Sequence, residues 1–221
     1  MVSFASSISL QQVRQKKNLK LLIGGLVEDE YNKIIEEITK FVKNYGLSTY
    51  AITGSCAIAV ILHEVVTKDL SKIIDESDKN YILGIYTKLN LPSDLDIKII
   101  TKNRMLSILQ NFNFLKNNGY EINGSNSSAL FTTYKNEDYF KKIDMTKEIG
   151  IFKNSIIIIN GINFISLDKL FESYSRHNRT KNKVLENGTG IDKKDFLKKL
   201  LDILSKYNLL DKYINTNNIN N

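Results

Sequence analysis

The hydrophobic period of this chain changes along its length, and that change limits the fold more than any other feature. From Val27 to Tyr45, apolar residues return at three- and four-residue steps (Val27, Tyr31, Ile34, Ile35, Ile38, Phe41, Val42, Tyr45), which is the stripe of a helix buried on one face. Gly46 follows, where the chain leaves a helix through positive φ. Leu47 to Thr53 reads as a short strand, and Cys56 to Val66 as a buried helix. From Asp94 to Ile100 the step is two: Leu95, Ile97 and Ile99 face one side, and Asp94, Asp96 and Lys98 the other. Asn103 to Lys116 returns to the helical step. After Gly119 the two-residue step dominates, giving strands at Tyr120 to Asn123, Ala129 to Tyr134, Tyr139 to Met145, Ser155 to Ile159 and Ile162 to Ile165. Asn160-Gly161 joins the last two as a hairpin turn, since both residues tolerate positive φ. Ser166 to about His177 and Asp192 to Tyr207 are helical again.

Helices at the ends and strands in the middle specify an α+β chain, a mixed sheet packed by helices with a helical C-terminal part. Residues 1–165 are expected to form the core with its N-terminal helices. Residues 166–221 form the helical remainder, and the two are expected to make one compact unit.

Composition narrows the function classes. No apolar run reaches the length of a membrane span; the longest pure run is Ile156-Ile157-Ile158-Ile159. The N-terminus lacks the basic patch and long apolar stretch of a signal peptide. A single cysteine, Cys56, excludes an internal disulfide framework and a multi-cysteine metal site. The expectation is a protein of a reducing, cytoplasmic compartment with no membrane partner. Net charge is +7, which favours anionic partners such as nucleotides or nucleic acid. Usage rich in Lys, Ile and Asn accounts for part of that charge without reference to function. His63-Glu64 has no second histidine at the zinc-protease spacing, and no Walker or Rossmann glycine pattern is present.

Three features carry chemistry. Thr53-Gly54-Ser55 lies at a strand-to-helix junction, where free N–H groups and the helix dipole can receive a phosphate; the same junction also serves as an ordinary turn. Asp94-Leu95-Asp96 places two carboxylates on one face of a strand. Such a pair repels itself unless a cation lies between, and hard divalent ions take oxygen ligands; an exposed strand edge is the bland alternative. Asp144 lies between Ile143 and Met145, so it needs a partner, either a cation site or a salt bridge to Lys141 or Lys142. Together, a carboxylate cluster beside a phosphate cradle suits two-metal phosphoryl or nucleotidyl transfer.

On these residues the chain resembles the nucleotidyltransferase superfamily, which includes poly(A) polymerases, polymerase β-like enzymes, aminoglycoside nucleotidyltransferases and toxin-type nucleotidyltransferases. The signature is Gly-Ser at a helix start, Asp-x-Asp on the next strand and a third Asp on a later strand, over residues 47–146. The segments Ile52-Thr53-Gly54-Ser55-Cys56-Ala57-Ile58 and Leu91-Pro92-Ser93-Asp94-Leu95-Asp96 are most similar to toxin-type enzymes and to related proteins of large DNA viruses. The resemblance implies that Gly54 and Ser55 hold triphosphate. It implies that Asp94 and Asp96 bind two Mg²⁺ ions, with Mn²⁺ as a substitute, and that Asp144 completes the second site. A Lys or Arg on a later helix would serve the nucleotide, which makes Lys169, Arg179 and Lys181 candidates. Phe171, Tyr174 and Tyr134 are candidate base-stacking residues. The link from Gly54 to Asp94 is longer than the family's and reads as an insertion at the active-site rim.

The implied activity is transfer of a nucleoside monophosphate, for example from ATP, to a hydroxyl on RNA, protein or a small molecule, with release of pyrophosphate. The alternative is a catalytically silent protein of the same fold, acting as a basic nucleic-acid-binding or virion-associated protein in a host cytoplasm or virion.

Overall fold

The computed structural model describes residues 28–45, 49–87, 89, 92–101, 108, 112–134, 139–149, 155–176 and 192–214. In chain order the elements are α1 (Glu28–Tyr45), β1 (Tyr50–Thr53), α2 (Gly54–Glu64), a π turn (Val65–Asp69), a 3-10 turn (Leu70–Lys72), α3 (Glu76–Tyr86), β2 (Asp94–Thr101), α4 (Phe112–Asn117), β3 (Tyr120–Ser125), β4 (Ala129–Tyr134), β5 (Lys142–Ile149), β6 (Ile156–Ile159), β7 (Ile162–Ile165), α5 (Leu167–Arg176), α6 (Lys193–Lys206) and α7 (Asp211–Ile214).

The strands form one mixed seven-stranded sheet in the order β3-β4-β5-β2-β1-β7-β6. The Asp94 strand is therefore central, as its apolar alternate face demands. β1 runs antiparallel to β2, and β2 parallel to β5. Register sorts the two faces. Ile52 opposes Ile97, Leu95 opposes Ile143, and Ile97 opposes Met145, so these buried side chains share one face. Thr53 opposes Asp96, and Asp96 opposes Asp144, so the polar set shares the other.

α1 and α2 cover the apolar face. Tyr31 of α1 stacks on His63 of α2 at 3.8 Å, and its hydroxyl donates to Glu64 at 2.8 Å. His63 is also bonded to the Tyr86 hydroxyl at 2.7 Å, which ties α3 to the same cluster. Further along α1, Phe41 and Lys40 lie over a groove lined by Tyr120, Tyr134, Phe140 and Ile143. The pair His63-Glu64 is thus a buried structural network. Cys56 is fully buried in α2, and burial followed by the nearby Asp96 charge pushes its thiol upward.

Several boundaries differ from the sequence expectation. β5 starts at Lys142 and not at Tyr139, because its ladder with β2 begins where Asp94 opposes Lys142. Tyr139 and Phe140 instead pack edge-to-face at 5.0 Å. β3 runs on to Ser125 through a bulge between Ile122 and Gly124. Most of the expected helix from Asn103 lies outside the described residues, which contain α4 and a buried Ile108.

The link from Gly54 to Asp94 folds as α2, the two turns and α3, and buried carboxylates tie it to the C-terminal helices. Asp69 accepts from Lys72 and Lys212, each at 2.7 Å, and from Tyr213. Asp78 accepts from Lys206 at 2.8 Å and from the Tyr207 hydroxyl at 3.2 Å. This segment therefore braces α6.

Candidate functional site

The polar face gathers its chemistry around Gly54. β1 ends at Thr53, and α2 begins at once with Gly54 at φ +68°. A β-carbon at position 54 would lie 1.9 Å from Asp96 Oδ2 and 2.8 Å from its carboxyl carbon. The glycine is required twice: for its left-handed backbone, and for the carboxylate that occupies the space a side chain would fill. The N-cap residue Thr53 makes no side-chain bond to the first N–H groups of α2, the groups a helix start offers to an anion.

The strands supply the acids. Asp94 and Asp96 follow the two-residue alternation of β2, and parallel pairing with β5 sets Asp144 directly opposite Asp96. Asp144 is half-buried; burial first, and then the Asp94 charge, raises its pKa, against a smaller lowering by Lys142. The electrostatics are those of a carboxylate group short of positive charge. Among the described residues, no group of three His, Cys, Asp or Glu side chains converges tightly enough to hold a metal ion. The donor chemistry, three carboxylates on one sheet face, is nevertheless the all-oxygen set that hard divalent cations take.

The cation at this site comes from a residue not expected from the sequence. Lys193, the first residue of α6, donates to Ser55 Oγ at 2.7 Å and lies over the Tyr174 ring at 5.3 Å. Burial lowers its pKa, while the charges of Asp96, Asp192 and Asp94 act to raise it. One signal was present in the sequence. Lys193 and Lys194 open a helix, where the macrodipole favours acids; a lysine there has its charge satisfied by something else.

The other basic candidates fare differently. Lys169 is bound within α5 by Glu172 at 2.7 Å. Arg179 and Lys181 lie outside the described residues. Of the aromatic candidates, Tyr174 lies at the site beneath Lys193, Phe171 packs against the core, and Tyr134 packs at a tilt against Tyr120, ring centroids 4.4 Å apart.

The order β1, Gly-Ser turn, α2, Asp-x-Asp strand and third-Asp strand in register brings the glycine turn and the aspartates to one face of the sheet. No family model matches the chain, and no curated protein matches it in sequence. Among solved structures it is similar to the Megavirus polyadenylate synthase, at 15% identity and a TM-score of 0.41. That similarity covers 97% of this chain and 40% of the other, so the chain spans two fifths of the viral protein's length. It is also similar to a candidate nucleotidyltransferase from H. pylori, at 13% identity and a TM-score of 0.40, covering 82% of this chain and 70% of that one. Likeness at this level says nothing of activity. No helix among the described residues is long and apolar enough to cross a membrane.

Proposed function

We propose that the chain is a metal-dependent nucleotidyltransferase, moving a nucleoside monophosphate from a nucleoside triphosphate such as ATP to an acceptor hydroxyl. The observation that carries this reading is the register of β1, β2 and β5. It sets Asp96 between Thr53-Gly54 on one side and Asp144 on the other, with Lys193 reaching in from α6.

In this reading the α2 N–H groups, Ser55 and Lys193 bind the triphosphate and fix its α-phosphorus in line with the acceptor. Lys193 gives up its bond to Ser55 for a phosphate oxygen. Asp94, Asp96 and Asp144 would hold Mg²⁺, which supplies Lewis-acid polarisation of the phosphate and neutralises the leaving pyrophosphate. Asp144 orients the acceptor hydroxyl and receives its proton as the new P–O bond forms and the bond to pyrophosphate breaks. Helix α6, braced at its far end by Asp78, keeps the Lys193 end fixed, and catalysis rests on position and charge.

The test is labelling of acceptor by α-phosphate-tagged nucleotide, with pyrophosphate release, for the wild type and for Asp94→Asn and Asp96→Asn. Loss of labelling in both folded variants supports the reading, and retained labelling in both rejects it. A second reading, a silent basic nucleic-acid-binding protein of the same fold, draws on the looseness of the carboxylate group among the described residues. It predicts no Mg²⁺-dependent thermal shift with nucleotide, alongside nucleic-acid binding that weakens steeply with salt.

A further inference from the structure

Asp144 has a second neighbour on the polar face. β4 runs antiparallel to β5, and its Phe131 is directly opposite Asp144. Directly opposed residues on adjacent strands point the same way, with β-carbons roughly 5 Å apart. Leu130 and Thr132 on either side face the buried side, so the strand's alternation turns Phe131 to the polar face, where this large apolar ring is 41% exposed. The other large exposed apolar residues among the described ones, Ile74 and Ile158, are aliphatic. On the far side of Phe131 the partner strand carries Gly124, and the ring approaches to 3.7 Å from where that residue's β-carbon would lie. The ring thus covers a cross-strand glycine with part of its surface and leaves the rest open beside a candidate catalytic acid.

The surroundings are polar and include an exposed cation. Lys142, two residues before Asp144 and opposite Asp94, is on the same face and exposed. On the outer side, Asn123 donates to Thr133, so this rim offers amide and hydroxyl groups. An exposed flat apolar ring with a neighbouring lysine, in a chain of net charge +7, matches the π face and phosphate of an unpaired nucleotide.

We infer that the outer strands β3 and β4 form the acceptor platform, and that the acceptor is the end of a single-stranded nucleic acid whose terminal base stacks on Phe131 while Lys142 contacts a backbone phosphate. Resting on the transfer reading above, this deepens it by naming the acceptor class. A base stacked on Phe131 holds its own ribose hydroxyl over the neighbouring strand, where Asp144 stands. A peptide side chain or a small sugar lacks the combination of a flat base for the ring and a backbone phosphate for Lys142.

The chain contains no tryptophan, so Phe131→Trp installs a single indole at the platform. In an Asp96→Asn background, single-stranded RNA such as oligo(A) is expected to quench this indole saturably. Ile158→Trp, on the β6 edge strand, is the control and should not respond. In the otherwise wild-type chain, Phe131→Ala should raise the KM for RNA acceptor about tenfold or more, leaving the KM for nucleotide unchanged, and Phe131→Tyr should restore it. Equal quenching at both indoles, no quenching at position 131, or an unchanged acceptor KM in Phe131→Ala overturns the platform. The two readings fail separately. Specific quenching without transfer activity supports the platform and removes the enzyme, whereas transfer to a peptide or sugar that ignores Phe131→Ala keeps the enzyme and removes the platform.

Discussion

Replacing Gly54 with alanine tests the core of the site with a single methyl group. The position has φ +68°, and the added carbon would fall 1.9 Å from Asp96 Oδ2. Left-handed backbone costs a residue with a β-carbon about 1–2 kcal/mol. The contact is more than an ångström too short, so Asp96 must leave its rotamer, which adds about 0.5–1.5 kcal/mol. The expected loss of stability is therefore ~2–3 kcal/mol, read as a shift of about 1 M or more in the urea midpoint. Activity should fall about a hundredfold or more, since displacing a catalytic group by an ångström is enough to do so. A double-mutant cycle separates the parts. In an Asp96→Ala background the carboxylate is gone, and Gly54→Ala should cost only the backbone share, leaving a coupling energy of about 1 kcal/mol. If Gly54→Ala costs less than about 0.5 kcal/mol, or costs the same in both backgrounds, Asp96 does not rest against the turn as described.

Other residues give independent checks. Lys193→Met should raise the KM for nucleoside triphosphate at least tenfold with the fold intact by circular dichroism; an unchanged KM would remove it from the phosphate site. Burial raises the Asp69 carboxyl, but hydrogen bonds from Lys212, Lys72 and Tyr213 outweigh it and leave the pKa at about 2. A depressed acid stabilises the fold above its unfolded pKa, so roughly 1–2 kcal/mol should vanish as pH falls from about 4 towards 2. Urea midpoints across that range should flatten in Asp69→Asn, and an unaltered pH slope would contradict the assignment. Asp78→Ala leaves Lys206 and Tyr207 without their shared acceptor and should destabilise by about 1–3 kcal/mol in thermal or urea melts.

Local signals in the chain were the readable ones. Asn160-Gly161 makes the expected turn with φ of 51° and 76°. The helix from Asp192 to Tyr207 is α6 with those two residues as its caps, Asp192 accepting from the Lys194 N–H. The alternation from Asp94 puts its two acids on one face of a strand, as read. Pairing between distant segments was not readable. Nothing near Asp144 states that its strand lies parallel to β2 with Asp144 opposite Asp96; that register is a long-range pairing of two strands about fifty positions apart. Lys193 was overlooked because its place at the helix start is a weak signal in a lysine-rich helix, and its partner Ser55 is 138 positions away. Phe131 was read as an ordinary strand residue, and only its exposure and its place beside Asp144 set it apart.

The most direct measurement follows the two ends of one nucleotide. With Mg²⁺ and RNA, peptide and sugar acceptors offered in turn, a tag on the α-phosphate should appear on one of them in step with pyrophosphate release, while a tag on the γ-phosphate should leave with the pyrophosphate. Transfer of the γ-tag to the acceptor, or an α-tag that stays with free nucleotide in the wild type, would contradict nucleotidyl transfer at Asp94, Asp96 and Asp144.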